Sequence, residues 1–347
     1  MTLPLPTSGM KAGRVLRNRT SGERDANQPQ VRDQTEPSVP NATNTLNRGE
    51  AGLHAIANDE GVFSIIAMDQ RNTLRRMFAA VEKEATPEAM RAAKVDVARA
   101  LTPAASGILL DPTIGVPSVL DAGALAESCG LLVAAEPESR GNWGGEPRAS
   151  RLAEQDAAWV RGLGGHAVKF LVQLRPGRPH LTGQPDLAEE VLDVVRAVVE
   201  DCRAAGVPSV VENLIYQLPG EEPLTPGQRE DLIVEAARKL DEIGPDLLKL
   251  EYPGSAKGCR RIASTVRGPW AVLSAGVAFD EFQDVLRISC DEGGASGFIA
   301  GRSVWKEAIG LDGPARQEFL DTVARPRLDD LLAAVSGRAR PWREVVR

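Results

Sequence analysis

Two lysines stand where lysine is seldom found. Lys169 lies inside the apolar run AVKFLV, and Lys249 lies inside LLKLEY. Lysine is depleted in β-strands and is almost never fully buried without a partner. Between the two, the run SVVE carries a carboxylate, Glu212. A lysine enclosed among apolar residues and acids can have its pKa moved in either direction, and a lowered value makes it an amine nucleophile for a carbonyl. The matching chemistry is Schiff-base formation. The amine attacks a ketone, a nearby acid helps to expel water, and the iminium then draws electrons out of a breaking C–C bond. One such lysine is as readily half of a structural ion pair, for example Lys169 with Glu212. Two of them with an acid between favour catalysis, and on this ground alone either could be the nucleophile.

The elements that must position these residues alternate. After Asn58, short apolar runs are separated by amphipathic helical stretches, the pattern of βα units and a parallel sheet. The expected strands are 62–68, 107–110, 131–135, 167–172, 209–212, 246–251, 271–274 and 297–300. Helix starts are legible at Thr86-Pro87, at Asp186 with Glu189, and at Thr225-Pro226 with Gln228, while Gly244 marks a stop. Eight strands over about 250 residues predict a (β/α)8 barrel. An open doubly wound sheet fits less well, because no GxGxxG follows the first strand. In a barrel the strand C-terminal ends carry the function. Here they would present Asp69-Gln70-Arg71, Asp111, Glu136, Lys169, Glu212, Lys249 with Glu251, Ser274-Ala275-Gly276 and Gly301-Arg302. Such a ring of charges describes a polar cavity.

One side of that ring suits an anion. LSAGV after the seventh strand and IAGRSVW after the eighth put small residues where backbone N–H groups can approach a phosphate, each ahead of a helix start. Barrels often hold phosphate between these two loops. Arg302 adds a planar fork. A phosphorylated ketose would lie with its phosphate there and its carbonyl near the sixth strand, a weak hint towards Lys249.

Composition excludes several other classes. A net charge of −7 argues against nucleic acid and anionic membrane surfaces, which favour a basic face. Apolar runs all fall short of the roughly 20 residues that span a bilayer. The histidines His54, His166 and His180 form no HxH or HxxxH pair, so neither a metal nor any other cofactor is expected. Cys129, Cys202, Cys259 and Cys290 form no CxxC pair and read as reduced core thiols of a cytoplasmic protein. Residues 1–48 are polar and Pro-rich, without periodic apolar positions, and are expected to be a disordered extension before a catalytic domain at 49–347. The Gly-rich polar segment 138–148 reads as a loop over the active face, mobile in character. Self-association of the barrel is expected.

Seven segments together resemble the class I tagatose-1,6-bisphosphate aldolase family, which includes the sulfofructose-1-phosphate aldolases. They are IIAMDQRNTLRRMF, ASGILLDPTIGVPSV, HAVKFLV, VVENLIY, DLLKLEYP, WAVLSAGVAFDEFQ and GASGFIAGRSVW, within roughly residues 55–335. The resemblance implies a (β/α)8 TIM barrel and retro-aldol cleavage of a ketose 1-phosphate or 1,6-bisphosphate without a metal, giving dihydroxyacetone phosphate and an aldehyde. It makes Lys249 the Schiff-base lysine and Glu212 the general acid/base. Lys169 orients Glu212, and Asp69 pairs with the lysines and assists proton transfer. By the same likeness Ser274, Gly276, Gly301 and Arg302 grip the phosphate, while Gln70 and Arg71 line the substrate side. Features such as ILLDPTIGVPSV favour tagatose bisphosphate. The short GSAKG stretch, with Lys257 facing a distal anion, favours 6-deoxy-6-sulfofructose 1-phosphate. A catalytically silent, sugar-phosphate-sensing barrel is the reading from another class.

Overall fold

A computed structural model describes residues 52–345; the expected extension at 1–48 lies outside them. Eight parallel strands close into a barrel in sequence order: β1 (Phe63–Met68), β2 (Gly107–Leu110), β3 (Gly130–Ala134), β4 (Ala167–Val172), β5 (Ser209–Asn213), β6 (Leu247–Leu250), β7 (Trp270–Leu273) and β8 (Gly297–Ala300). β8 pairs with β1 to complete the ring, with Phe63 opposite Gly297. β2, β4 and β8 have the expected bounds and β5 runs one residue further; β1 and β6 are shorter than expected and β3 and β7 are shifted by a residue, so Glu251 and Ser274 stand just past β6 and β7.

Two apolar layers hold this arrangement. Inward-facing Phe63, Ile65, Leu109, Leu132, Val210, Leu247 and Ile299 fill the barrel, and Leu53 and Ile56 of a 3-10 turn pack onto the same cluster. Outward residues such as Ile66, Ile108, Val133, Val168 and Val211 meet the helices in a second cluster. Strands buried on both faces explain why the sequence shows continuous apolar runs in place of alternation.

The helix caps follow their sequence signals. Thr86 Oγ1 accepts the Ala89 N–H at 3.1 Å ahead of Pro87. Thr225 and Gln228 form a reciprocal capping box, and Gly244 ends that helix in the left-handed region at φ 83°. At Asp186 only half of the expected box forms. Its carboxylate accepts the Ala188 and Glu189 N–H groups, while Glu189 turns to Arg196.

The segment 138–148 contains a small antiparallel hairpin, Asn142–Trp143 against Glu146–Pro147. It is tied to the loops after β4 and β5: Glu146 receives Arg178 at 2.7 and 2.9 Å and the Tyr216 hydroxyl at 2.8 Å. The four cysteines are free and buried, and burial pushes the Cys129, Cys202 and Cys290 thiols up to about 12. Such thiols are poor nucleophiles. Among the described residues no helix is long and apolar enough to cross a membrane.

Candidate active site

The polar groups of the barrel mouth obey the two-residue period of a strand. Ala67, Leu109, Ala134, Ala167, Val210 and Leu247 belong to the inner apolar layer. Two residues further along come Asp69, Asp111, Glu136, Lys169, Glu212 and Lys249. The same parity that fills the barrel with hydrocarbon at its base thus places charge at its C-terminal end.

Five of these six converge, four with an expected role and one, Glu136, without. The Lys169 ammonium lies 2.9 Å from Asp69 Oδ2, 2.7 Å from Glu136 Oε1 and 2.9 Å from Glu212 Oε2, at 1% side-chain exposure. Lys249 Nζ lies 3.0 Å from the same Glu212 Oε2. The register sets this up, because Glu212 is the direct neighbour of Lys249 on β6 and of Leu171 on β4. Burial works against charge on Lys169, but Asp69, Glu136 and Glu212 outweigh it and raise its pKa well above the usual lysine range. Burial likewise opposes ionisation of Asp69 and Glu212. Lys169 and Lys249 prevail, and both carboxyls are held below their usual range.

Two other members of the ring point elsewhere. Asp111 is wholly buried against Lys94 at 2.7 Å and accepts the Ile114 and Gly115 N–H groups. Lys94 comes from the helix Pro87–Leu101 and also donates to the carbonyls of Met68 and Gln70, at 2.6 and 3.0 Å. It therefore clamps the backbone on either side of Asp69. Glu251 accepts the Ile215 N–H and pairs with Arg229, so it braces the loop after β5.

On the far side of the mouth, β7 turns sharply through Ala275 and Gly276, at φ 50° and 85°. A left-handed conformation costs a non-glycine residue about 1–2 kcal/mol, so the turn at Ala275 is held by its surroundings. Arg302 crosses this turn and donates to the Ala275 carbonyl at 3.0 Å. A Cβ on Gly276 would stand 3.2 Å from the guanidinium, and one on Gly301 would meet the Ala67 carbonyl at 2.6 Å. Ser274 Oγ accepts the Gly301 N–H at 3.4 Å, linking the two loops. Ser274, Gly276, Gly301 and Arg302 are thus brought together.

Gln70 and Arg71 follow Asp69 on the other wall. Arg71 donates to the Glu136 carbonyl at 3.0 Å, and the Gln70 side-chain oxygen is buried without a protein donor. Lys257 is exposed on the first turn of the helix Ala256–Thr265. Among the described residues no cluster of three His, Cys, Asp or Glu is arranged to hold a metal ion.

Glu136 and Lys94 were not singled out as partners of the site. The two-residue step from Ala134 marks Glu136. Lys94 interrupts the apolar stripe of Met90, Ala93, Val97, Ala98 and Leu101 on its helix.

The chain is similar to known proteins over most of its length. A tagatose 1,6-diphosphate aldolase of Staphylococcus epidermidis is 30% identical over 327 residues, 84% of this chain and 97% of that one. Tagatose 1,6-diphosphate aldolase 2 of Streptococcus pyogenes serotype M1 is 29% identical over 323 residues, 82% and 94% of the two chains. Among solved structures, a Schiff-base-forming fructose-1,6-bisphosphate aldolase shares the fold with a TM-score of 0.54 at 18% identity, over 78% of this chain and 96% of that one. The profile of the DeoC/LacD family aldolases matches residues 63–307, a span that takes in all eight barrel strands. This chain therefore belongs to the DeoC/LacD family of aldolases, which are carbon–carbon lyases.

Proposed function

We propose that residues 49–347 form a class I aldolase of the cytoplasm that cleaves a ketose 1-phosphate or 1,6-bisphosphate, tagatose 1,6-bisphosphate above all. The products are dihydroxyacetone phosphate and an aldehyde such as glyceraldehyde 3-phosphate. One observation carries the division of labour: a single oxygen of Glu212 touches both lysines, yet Lys169 has two further carboxylates and Lys249, among the described residues, has no second one within ion-pair distance. Lys169 is therefore held as a cation, and Lys249 is the amine able to give up its proton. The names of the relatives support the bisphosphate substrate.

In this reading Lys249 hands its proton to Glu212 and adds to the ketone carbon as the free amine. Glu212 returns the proton to the carbinolamine oxygen, which leaves as water and yields the iminium. The Glu212 carboxylate next takes the proton of the hydroxyl on the aldehyde side. The C–C bond breaks, its electron pair passes to the iminium nitrogen, and the aldehyde departs. Protonation of the enamine carbon and addition of water release dihydroxyacetone phosphate and restore Lys249. Asp69 supports the proton transfers from across Lys169. The phosphate rests over Ser274, Gly276, Gly301 and Arg302, Gln70 accepts from a sugar hydroxyl, and Arg71 lines the same wall. Self-association of the barrel belongs to the same proposal.

Borohydride trapping tests the proposal. With dihydroxyacetone phosphate present, reduction is expected to leave a covalent adduct on Lys249, located by peptide mass spectrometry. An adduct on Lys169 alone would reverse the lysine roles. A folded protein that forms no adduct would remove the Schiff-base mechanism.

A further inference from the structure

We infer that Glu136 is the positioning residue that keeps Lys169 a cation throughout turnover and so leaves attack on the ketone to Lys249. The inference rests on the Schiff-base reading above and deepens it. An ammonium has three N–H donors, and Lys169 meets three acids, Asp69, Glu136 and Glu212. These acids are not equivalent. Glu212 is shared with Lys249 and must take up and return protons in each cycle. Whenever it does so, Lys169 loses one of its counter-charges. Asp69 and Glu136 then remain, and Glu136 makes the shortest of the three contacts, at 2.7 Å.

Glu136 is also fastened in place. Its second oxygen accepts the Leu171 N–H at 3.2 Å, two residues beyond Lys169 on β4, and its carbonyl accepts Arg71 at 3.0 Å. It therefore stays with Lys169 when Glu212 turns to the substrate. The other charges on adjoining elements are Lys249 across Glu212, Lys94 with Asp111 behind the loop after β1, and Arg71. Without Glu136, Lys169 would face Asp69 alone whenever Glu212 carries a proton, and two amines would compete for one carbonyl.

The test compares wild type, Glu136→Gln and Glu136→Asp, each checked for folding by thermal melting. In wild type the borohydride adduct is expected on Lys249 alone from neutral to alkaline pH. In Glu136→Gln the adduct should divide between Lys169 and Lys249 as pH rises. Its kcat should fall about tenfold, and the alkaline limb of the kcat–pH profile should move down by about one unit, each unit being a tenfold change in the protonation ratio. Glu136→Asp, which restores the charge, should recover most of both; a merely structural role would not give that rescue together with a moved pH profile. A folded Glu136→Gln with the wild-type profile and an adduct on Lys249 alone overturns the inference while leaving the aldolase mechanism intact. Should Glu136→Gln fail to fold, Glu136→Ala takes its place: a folded variant with the wild-type profile and an adduct on Lys249 alone overturns the inference, and a lowered alkaline limb with the adduct divided between Lys169 and Lys249 supports it. Absence of any adduct in wild type counts against the Schiff-base reading itself.

Discussion

The two sides of the barrel mouth are built on opposite plans. On the side of β1 to β4, charge answers charge: Lys169 meets three acids, Lys94 meets Asp111, and the backbone around Asp69 is fixed by Lys94. On the side of β6 to β8 stand one lysine with a shared acid, two glycine turns and an arginine lying across them. The first plan spends its polar groups inside the protein. The second offers amine, small residues and guanidinium to something that arrives. Substitutions on the first side should therefore be read in stability or pH dependence, and on the second in affinity or turnover.

Glu212 lies on the border and should show the largest effect. Glu212→Gln keeps the shape but removes the acid shared by the two lysines, so kcat is expected to fall about 10²–10⁴-fold, the range for a lost general acid/base. The pH dependence has a definite sign. In the folded protein burial favours the protonated acid, but the lysines overcome it and hold the carboxyls of Glu212 and Asp69 below their usual range. Their contribution to stability is thus complete above about pH 4.5 and is lost as the pH falls further, through the depressed values. Acid titrations of wild type should show that loss, and Glu212→Gln should show less of it. A variant with wild-type kcat would place the proton transfers elsewhere.

Lys94 tests the charge-filled side. Its pKa is lowered by burial, with Asp111 opposing, and it has three acceptors within 3.0 Å. Lys94→Met fits the volume but leaves Asp111 buried without its cation. Breaking one partner of a buried pair costs about 3–5 kcal/mol, which thermal or urea unfolding would report as a clear loss. A Lys94→Met protein that unfolds with wild type would break the comparison, since its ammonium would then carry no structural charge.

The fold was legible because each strand is a short apolar run and three of the helices between them start at a readable cap, Thr86, Asp186 and Thr225. Lys169 and Lys249, with Glu212 on the strand between them, were legible because a lysine flanked by apolar residues on a doubly covered sheet has only the barrel interior to enter, whereas Asp69 joined them through the family resemblance. Their separate roles were not. Lys169 and Lys249 occupy the same parity on alternate strands, and only side-chain distances show that one meets three acids and the other one. Glu136 was read as a member of the charged ring, but its pairing with Lys169 was not legible, because it lies beyond the end of β3, ahead of Pro137, where the sequence reads as loop. Lys94 was obscured because lysine on a helix is ordinary. The hairpin at 142–147 escaped because two-residue strands carry almost no periodic signal, and its order comes from Arg178 and Tyr216, distant in sequence.

Arg302 tests the ligand-facing side, with the smallest expected effect. Its guanidinium is half-buried over Gly276 and holds the Ala275 carbonyl, yet none of the described acids forms an ion pair with it. A hydrogen bond to a charged group contributes about 1.5–3 kcal/mol. Arg302→Ala should therefore raise KM for a phosphorylated ketose by roughly 10- to 150-fold, each 1.4 kcal/mol being tenfold, and should leave the melting temperature nearly unchanged. Arg302→Lys keeps the charge but loses the planar fork, so its KM should lie between the two. The decisive control is the same ketose without its phosphate. If Arg302 binds that group, the variant and wild type should differ little on the unphosphorylated sugar. An equal loss on both substrates would mean that Arg302 supports the turn at Ala275 and Gly276, and that the two sides of the mouth are less different than their charges imply.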